Sequence, residues 1–271
     1  MNSTEPPHPW GTYAPPWQTA PLRLLTRLGL SRGLVTKFIR RTWLKHFPAI
    51  VDTEINGCKY RLDIEKNTTD GKLLASSKCY DSDEIGYLKD ACTGHDSVFV
   101  DAGANTGYYS LTLATHGCSK IIAIEPNPPT LNLLHFNVRI NRLESVIRIE
   151  PVCLGPGGKI PFYCAGGLGD AGILPRHDPV EPIWLDSVPL LDLLRKHDVA
   201  RVDALKIDIE GAEDIALLPF FANAPKTLWP RTVVIEHCHQ DAWKNNVIDF
   251  MKQQGYLETA KTRGNLILRL A

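Results

Sequence analysis

No apolar stretch in this chain reaches the length of a membrane span, and prolines interrupt the first residues where a secretory leader would be continuously apolar. Neither a transmembrane segment nor a signal peptide is expected. An excess of charge is also missing, since 30 lysines and arginines face 30 aspartates and glutamates. With no global positive field to concentrate a polyanion, no nucleic-acid partner is expected. The seven cysteines, at 58, 79, 92, 118, 153, 164 and 238, are odd in number and never form a C-x-x-C pair. That spacing argues against a zinc site or a disulfide framework and suits reduced, buried thiols in a cytoplasmic protein. Asn67-Thr68-Thr69 matches a glycosylation sequon, a chance match where no secretory route is expected.

What the chain does carry begins at Asp101-Ala-Gly-Ala-Asn-Thr-Gly107, directly after the apolar Val98-Phe-Val100. A second apolar run, Ile121-Ile-Ala-Ile124, ends on the acid Glu125. The spacing describes a strand, a glycine-hinged turn into a helix, and a second strand with a carboxylate at its tip. This is the nucleotide-cradling half of an α/β sheet. Gly103 and Gly107 allow backbone conformations closed to other residues, and Glu125 is placed to accept hydrogen bonds from ribose hydroxyls. A nicotinamide site usually reads G-x-G-x-x-G and sets bare N–H groups against a pyrophosphate. Here Asp101 stands where the first glycine would be. A carboxylate there repels a diphosphate but suits a ligand with an ammonium group, such as S-adenosylmethionine. The alternative is that Asp101 caps the following helix. Asn105 and Asn127 are expected to meet neighbouring polar groups of the donor.

Three stretches together resemble the FkbM-type methyltransferases: Val98-Phe-Val-Asp-Ala-Gly-Ala-Asn-Thr-Gly-Tyr-Tyr-Ser110, Ala123-Ile-Glu-Pro-Asn127 and Leu205-Lys-Ile-Asp-Ile-Glu-Gly-Ala-Glu213. The third is the more specific, because the first glycine motif is shared across many class I methyltransferases. The resemblance runs from about Ile50 to the C-terminus and leaves the N-terminal arm outside it. It implies an α/β, Rossmann-like class I methyltransferase fold with a seven-stranded, mostly parallel sheet whose last strand is antiparallel. It also implies S-adenosylmethionine as cofactor and O-methylation of a hydroxyl on a sugar, glycoconjugate or natural product.

Residues 1–20, rich in proline, are expected to form a disordered tail. Residues 21–48 read as a basic amphipathic helical arm, with a break at Gly29 or Gly33. In it Leu34, Val35, Phe38, Ile39 and Trp43 recur at helical spacing. Arg32, Lys37, Arg40, Arg41 and Lys45 supply a basic side, with no acid between Pro21 and Phe47. Such a face is either the solvated side of a helix packed on the catalytic domain or a peripheral contact with an anionic membrane or glycolipid. Residues 49–271 form the catalytic domain. It divides into a hairpin and helix over 49–95, turning at Asn56-Gly57, and a Rossmann-like core over 96–271. Tyr80-Asp-Ser-Asp-Glu84 leads into a helix ending near Ala91; in the resembled family the segment at this place lies over the donor, but capping by Asp81 or Asp83 is the role expected here. In the core, strands at 97–101, 120–125, 146–152, 202–208 and 231–236 alternate with helices at 107–116, 128–140, 187–197, 211–219 and 240–254. A terminal hairpin pairs 256–261 with 265–270. The glycine-rich 166–172 lacks the Lys-Ser/Thr ending of a phosphate loop and reads as a flexible wall over the acceptor site.

Asp101, Glu125, Asp208 and Glu236 all fall at the carboxyl ends of strands, where ligands bind in such sheets. In Ala204-Leu-Lys-Ile-Asp-Ile-Glu210 charges alternate with apolar residues, although a parallel strand covered on both faces should be apolar nearly throughout. Buried, unpaired carboxylates are costly, so this cluster needs a cleft, a partner or a ligand. An ion pair from Lys206 that merely holds the sheet is the other reading. Methyl transfer to an alcohol needs the nucleophile aligned with the methyl and its proton removed. Asp208, Glu210 and His237 are the catalytic candidates: Asp208 near the donor, His237 or Glu210 as base, with Glu236 beside them. Those residues with His239 are rich enough in oxygen and imidazole for a divalent metal, but their spacing matches no ligand pattern and none is expected. The expected function is therefore an S-adenosylmethionine-dependent O-methyltransferase with a small-molecule or glycan acceptor. A nicotinamide-dependent reductase and a non-catalytic binding protein on the same fold are the alternatives.

Overall fold

The computed structural model describes residues 8–31, 33–76, 80–164, 167, 171–175 and 181–271. Two helices come first, α1 (Ala20–Arg27) and α2 (Leu34–His46), with Gly29 and Gly33 at positive φ between them. Strands β1 (Ile50–Ile55) and β2 (Cys58–Asp63) form an antiparallel hairpin whose turn, Asn56 and Gly57, sits at φ 52° and 80°. Two left-handed residues in succession suit a tight hairpin, and asparagine followed by glycine supplies them at little cost. Helices α3 (Thr68–Ser76) and α4 (Ser82–Ala91) lead into the alternating core: β3 (Val98–Ala102), α5 (Tyr108–Thr115), β4 (Lys120–Ile124), α6 (Pro128–Ile140) and β5 (Ile147–Glu150). A small sheet intervenes, built from β6 (Cys153–Leu154), β7 (Gly158–Phe162) and β8 (Ile183–Val188) in the order β6-β8-β7. The chain finishes with α7 (Leu190–Lys196), β9 (Ala204–Ile207), α8 (Glu213–Asn223), β10 (Thr232–Glu236), α9 (Val247–Gln253), β11 (Tyr256–Lys261) and β12 (Asn265–Leu270).

The main sheet has seven strands in the order β11-β12-β10-β9-β3-β4-β5. From β10 through β5 all neighbours are parallel, and only β12, between β10 and β11, runs against them. Successive strand residues point to opposite faces, so each buried strand feeds two cores. Val100, Ile122, Leu205 and Val233 pack with α7, α8 and α9 on one side. Phe99, Ile121, Ala204 and Val234 pack with α4, α5 and the β1–β2 hairpin on the other.

The expected fold class is what forms, with local departures. The connection after β5 contains the small sheet, so the stretch assigned to the start of a helix at 187 is the end of β8; Pro189 then precedes α7. The helix expected over 240–254 begins only at Val247. Asn246 caps it by accepting from the N–H groups of Ile248 (3.1 Å) and Asp249 (3.2 Å), and a single 3-10 turn occupies 240–242. Finally, the described part of the segment expected to be a disordered tail is packed. The Arg61 guanidinium, buried and paired with Asp52 at 2.7 Å, donates to the His8 carbonyl (2.6 Å) and the Pro9 carbonyl (2.8 Å). Asp52 Oδ2 in turn accepts from the N–H groups of Gly11 (2.7 Å) and Tyr13 (3.1 Å). Prolines make the segment stiff, and one buried ion pair gives its free carbonyls and N–H groups partners.

Candidate active site at the switch point of the sheet

Strand β3 is flanked by β4 on one side and β9 on the other. Strand order therefore reverses between β3 and β9, and a pocket opens beyond the carboxyl ends of the strands at that point. Gly103, Asn105 and Gly107 in the turn after β3 all have positive φ (76°, 52° and 97°). At Gly103 the requirement is also steric, because a Cβ there would stand 1.9 Å from the Asp208 carbonyl oxygen. At Gly107 it would stand 2.7 Å from Leu111 and Leu134. The glycines thus let the β3 turn pass against the β9 turn and let α5 seat on α6.

The turn is braced from outside the sheet. The Asn105 side-chain oxygen accepts from Asn67 Nδ2 (2.6 Å) and the Thr106 N–H (2.8 Å). The Thr106 hydroxyl donates to Asp70 Oδ1 at 2.6 Å, and Asp70 Oδ2 accepts from the Asp63 N–H at 2.9 Å. Asn67, fully buried, is thus part of the scaffold, which accounts for its sequon-like sequence. Glu125 lies at the pocket wall and receives the N–H of Asn105 on Oε2 (2.8 Å) and that of Asn127 on Oε1 (2.9 Å). Burial pushes its carboxyl up to about 7, against the pull of those two hydrogen bonds. Beside it Val152, Leu154 and Phe162 supply an apolar wall.

The β9 side of the pocket is charged. Lys206, buried at the strand's end, donates to the Gly103 carbonyl at 2.8 Å, lies 3.6 Å from Asp208 Oδ2, and sits 5.5 Å from the Tyr109 ring centre. Burial alone would lower its pKa, but Asp208, Asp101, Glu125 and Asp81 outweigh that and raise it, so it stays an ammonium. Asp81, at φ 44°, accepts from the Tyr109 hydroxyl at 2.8 Å, and burial pushes it up to about 6. The Asp208 side chain is 37% exposed and lines the pocket with Glu210. Glu210 is held at φ 62°, with its carboxylate 3.6 Å from His239 Nδ1. Glu236 lies 3.0 Å from the same nitrogen, and burial followed by the charge of Asp208 raises it to about 7. Glu213, fully buried, shapes the turn between them: Oε1 accepts the Ile209 N–H and Oε2 the Trp243 indole N–H, each at 2.8 Å.

Gly103, Asn105, Glu125, Asp208 and Glu210 therefore meet around one pocket. The other expected site residues do not line it. Asp101 is fully buried and directed into α5, with Oδ2 accepting the Ser110 hydroxyl (2.6 Å) and N–H (3.1 Å). Anchoring the first turn of α5 is the helix-capping role that stood beside the donor contact for this residue. Gly107 and Asn127 contribute backbone geometry behind the pocket. His237 turns to the terminal hairpin, its N–H on the Gly264 carbonyl (3.0 Å) and its ring 3.4 Å from the Thr262 carbonyl. Asp81 corrects the capping expectation in the opposite sense: it makes no side-chain cap to α4 and faces the pocket instead. Tyr80, Tyr109 and Thr69 also line the pocket. Tyr109 follows the glycine turn directly, whereas Thr69 and Tyr80 come from segments remote in sequence; the family resemblance points to the Tyr80–Glu84 segment, and nothing marks Thr69. Among the described residues no group of three or more histidine, cysteine or acidic side chains is arranged to hold a metal ion.

A buried carboxylate at the β4 tip and a charged β9 tip, at the switch point of a seven-stranded sheet with this single antiparallel strand, are the arrangement of the class I S-adenosylmethionine-dependent methyltransferases. The profile of the Methyltransferase FkbM domain matches residues 101–258, more than half of the chain. The chain belongs to that family, is a methyltransferase, and takes S-adenosylmethionine as its cofactor. Among its relatives is "Methyltransferase 1" of Beauveria bassiana, 24% identical over 70% of this chain and 76% of that one. Another is a tRNA(Phe) (4-demethylwyosine(37)-C(7)) aminocarboxypropyltransferase of Pyrococcus horikoshii, 34% identical over 33% of this chain. The chain spans only 29% of that enzyme's length. A solved METTL16 MTase domain shares the fold, with a TM-score of 0.50 and 15% identity over 87% of this chain and 79% of that one. The expectation that nucleic acid is no partner is overturned by the tRNA-acting relative: balanced totals of charge describe the average surface and say nothing about a local one. No helix among the described residues is long and apolar enough to cross a membrane.

Proposed function

We propose that this methyltransferase transfers its methyl group to a hydroxyl oxygen on a sugar, glycoconjugate or natural product, in the cytoplasm. The observation that carries the reading is the solvent-reachable carboxylate of Asp208, 3.6 Å from the Lys206 ammonium, in the same pocket as Glu125. When bound, S-adenosylmethionine supplies an electrophilic methyl group on its sulfonium. Glu125 accepts from the ribose hydroxyls, its two oxygens already oriented by the Asn105 and Asn127 N–H groups. The apolar wall of Val152, Leu154 and Phe162 takes the purine. Asp81 presents negative charge to the cationic end of the donor.

An alcohol is a weak nucleophile until its proton is taken. Asp208 is the proton acceptor in this reading, with the Lys206 ammonium 3.6 Å away, and Glu210 is the second acidic group on the acceptor side. The reading is tested by incubating the protein with labelled donor and a panel of free sugars, lipid-linked glycans, polyhydroxylated small molecules and tRNA. Label is expected in an alkali-stable ether on a glycan or small-molecule hydroxyl. Asp208→Asn is expected to lower kcat by roughly 10²–10⁴-fold, with donor affinity within about threefold of the parent. Label recovered only in tRNA bases would replace this acceptor class.

A further inference from the structure

The N-terminal helices carry an exposed surface that the catalytic domain does not use. Leu24, Leu28, Leu30, Leu34 and Phe38 are each more than half exposed, Leu34 at 81% and Phe38 at 60%. They cluster at the end of α1, the turn after it and the first half of α2. The opposite side of α2 is firmly seated: Ile39 and Trp43 are buried, and the Arg40 side chain lies over Gly71 of α3. The apolar side chains therefore point outward because the inward positions are already filled. Along the same outward face of α2 lie Lys37, Arg41 and Lys45, with Arg27 at the end of α1, all exposed. No aspartate or glutamate occurs between Pro21 and Phe47.

From this arrangement we propose that α1 and α2 form a membrane-attachment device. Its apolar tip enters the interfacial layer of a bilayer while its flanking cations meet anionic headgroups. Contiguous exposed apolar surface rimmed by charge marks an interaction site, and the sign of the rim selects its occupant. A second copy of this chain is a poor fit, since two such faces would bring cations against cations with no acid between them. Nucleic acid would use the cations but leave five large apolar side chains in water. An anionic lipid surface satisfies both halves. Attachment also bears on the pocket, because α3, on which α2 is seated, carries Thr69 in the pocket wall. The attached protein holds its active site at a fixed remove from the lipid.

The experiment is co-sedimentation of the full chain with vesicles of phosphatidylcholine alone or with one third phosphatidylserine, at two salt concentrations, with tRNA and self-association measured in parallel. Binding is expected only with the anionic vesicles and weaker at high salt. Neutralising Lys37, Arg41 and Lys45 to alanine is expected to lower the partition coefficient roughly fivefold per cation. Leu34→Glu with Phe38→Glu is expected to lower it by more than about tenfold. These positions are exposed, so unchanged donor affinity by calorimetry shows that the variants fold and separates failure here from failure of the acceptor reading. No binding by the parent chain, binding unchanged by the two glutamates, or a face that instead binds tRNA or dimerises would each overturn the proposal.

Discussion

In the proposed function, donor binding turns on Glu125. Replacing a carboxylate acceptor by an amide removes charge-assisted hydrogen bonds, so Glu125→Gln is expected to weaken S-adenosylmethionine binding by about 10–100-fold in a calorimetric titration. Because burial places its carboxyl at about 7, protonation competes with the ribose hydroxyls near neutrality. Donor affinity is expected to fall as pH drops below about 7, at most tenfold per unit, and to lose that slope in Glu125→Gln. Gly103→Ala faces both a φ of 76° and a Cβ 1.9 Å from the Asp208 carbonyl. It is expected to destabilise the fold by about 3 kcal/mol or more in urea titrations. These roles were unevenly legible. The acid at the end of Ile121–Ile124 announced itself because a carboxylate closing an apolar run has few structural uses. That Asp101 and His237 do not line the pocket could not be read, because a residue type at a strand end does not reveal which way its side chain turns.

At the scale of elements, the β1–β2 hairpin is tied to the chain's start by one buried pair. Burial raises the Asp52 carboxyl, yet the Arg61 hydrogen bond and the N–H groups of Tyr13 and Gly11 outweigh it and hold the group below its ordinary value. The Arg61 guanidinium is also sandwiched between the rings of Tyr13 (4.8 Å) and Phe136 (4.1 Å). Removing one partner leaves the other buried and unpaired, so Asp52→Ala is expected to cost about 3–5 kcal/mol by chemical denaturation. The hairpin itself could be read from Asn56-Gly57, and the alternating strands and helices from their apolar periods. Helix α3 escaped because Gly71 and a threonine-rich start disguise it; its worth lies in Asp70 and Asn67, which brace the turn after β3. Strand β8 escaped because Ile183 and Trp184 are exposed, so its pattern lacks the alternation of a half-buried strand.

For the whole molecule, the pocket is assembled from α3, the segment before α4, the turns after β3, β4 and β9, and the small sheet. A ligand contacting all of them should tighten the entire fold. Donor at about a hundred times its Kd is expected to add roughly 2.7 kcal/mol to stability. That corresponds to a rise in Tm of roughly 5–10 °C by differential scanning calorimetry, largely lost in Glu125→Gln at the same donor concentration.

The fold class, the strand that bears Glu125 and the unusual charges after β9 were determined by the sequence alone, because apolar periodicity and glycine placement are local properties of the chain. Which charged groups share one cavity was decided only by tertiary structure. Lys206 reaches the Gly103 carbonyl, Asp81 reaches Tyr109, and Asp101 sinks behind α5. Side-chain direction at a strand's end depends on which neighbour strand and helix are already in place, and no stretch of sequence carries that information by itself.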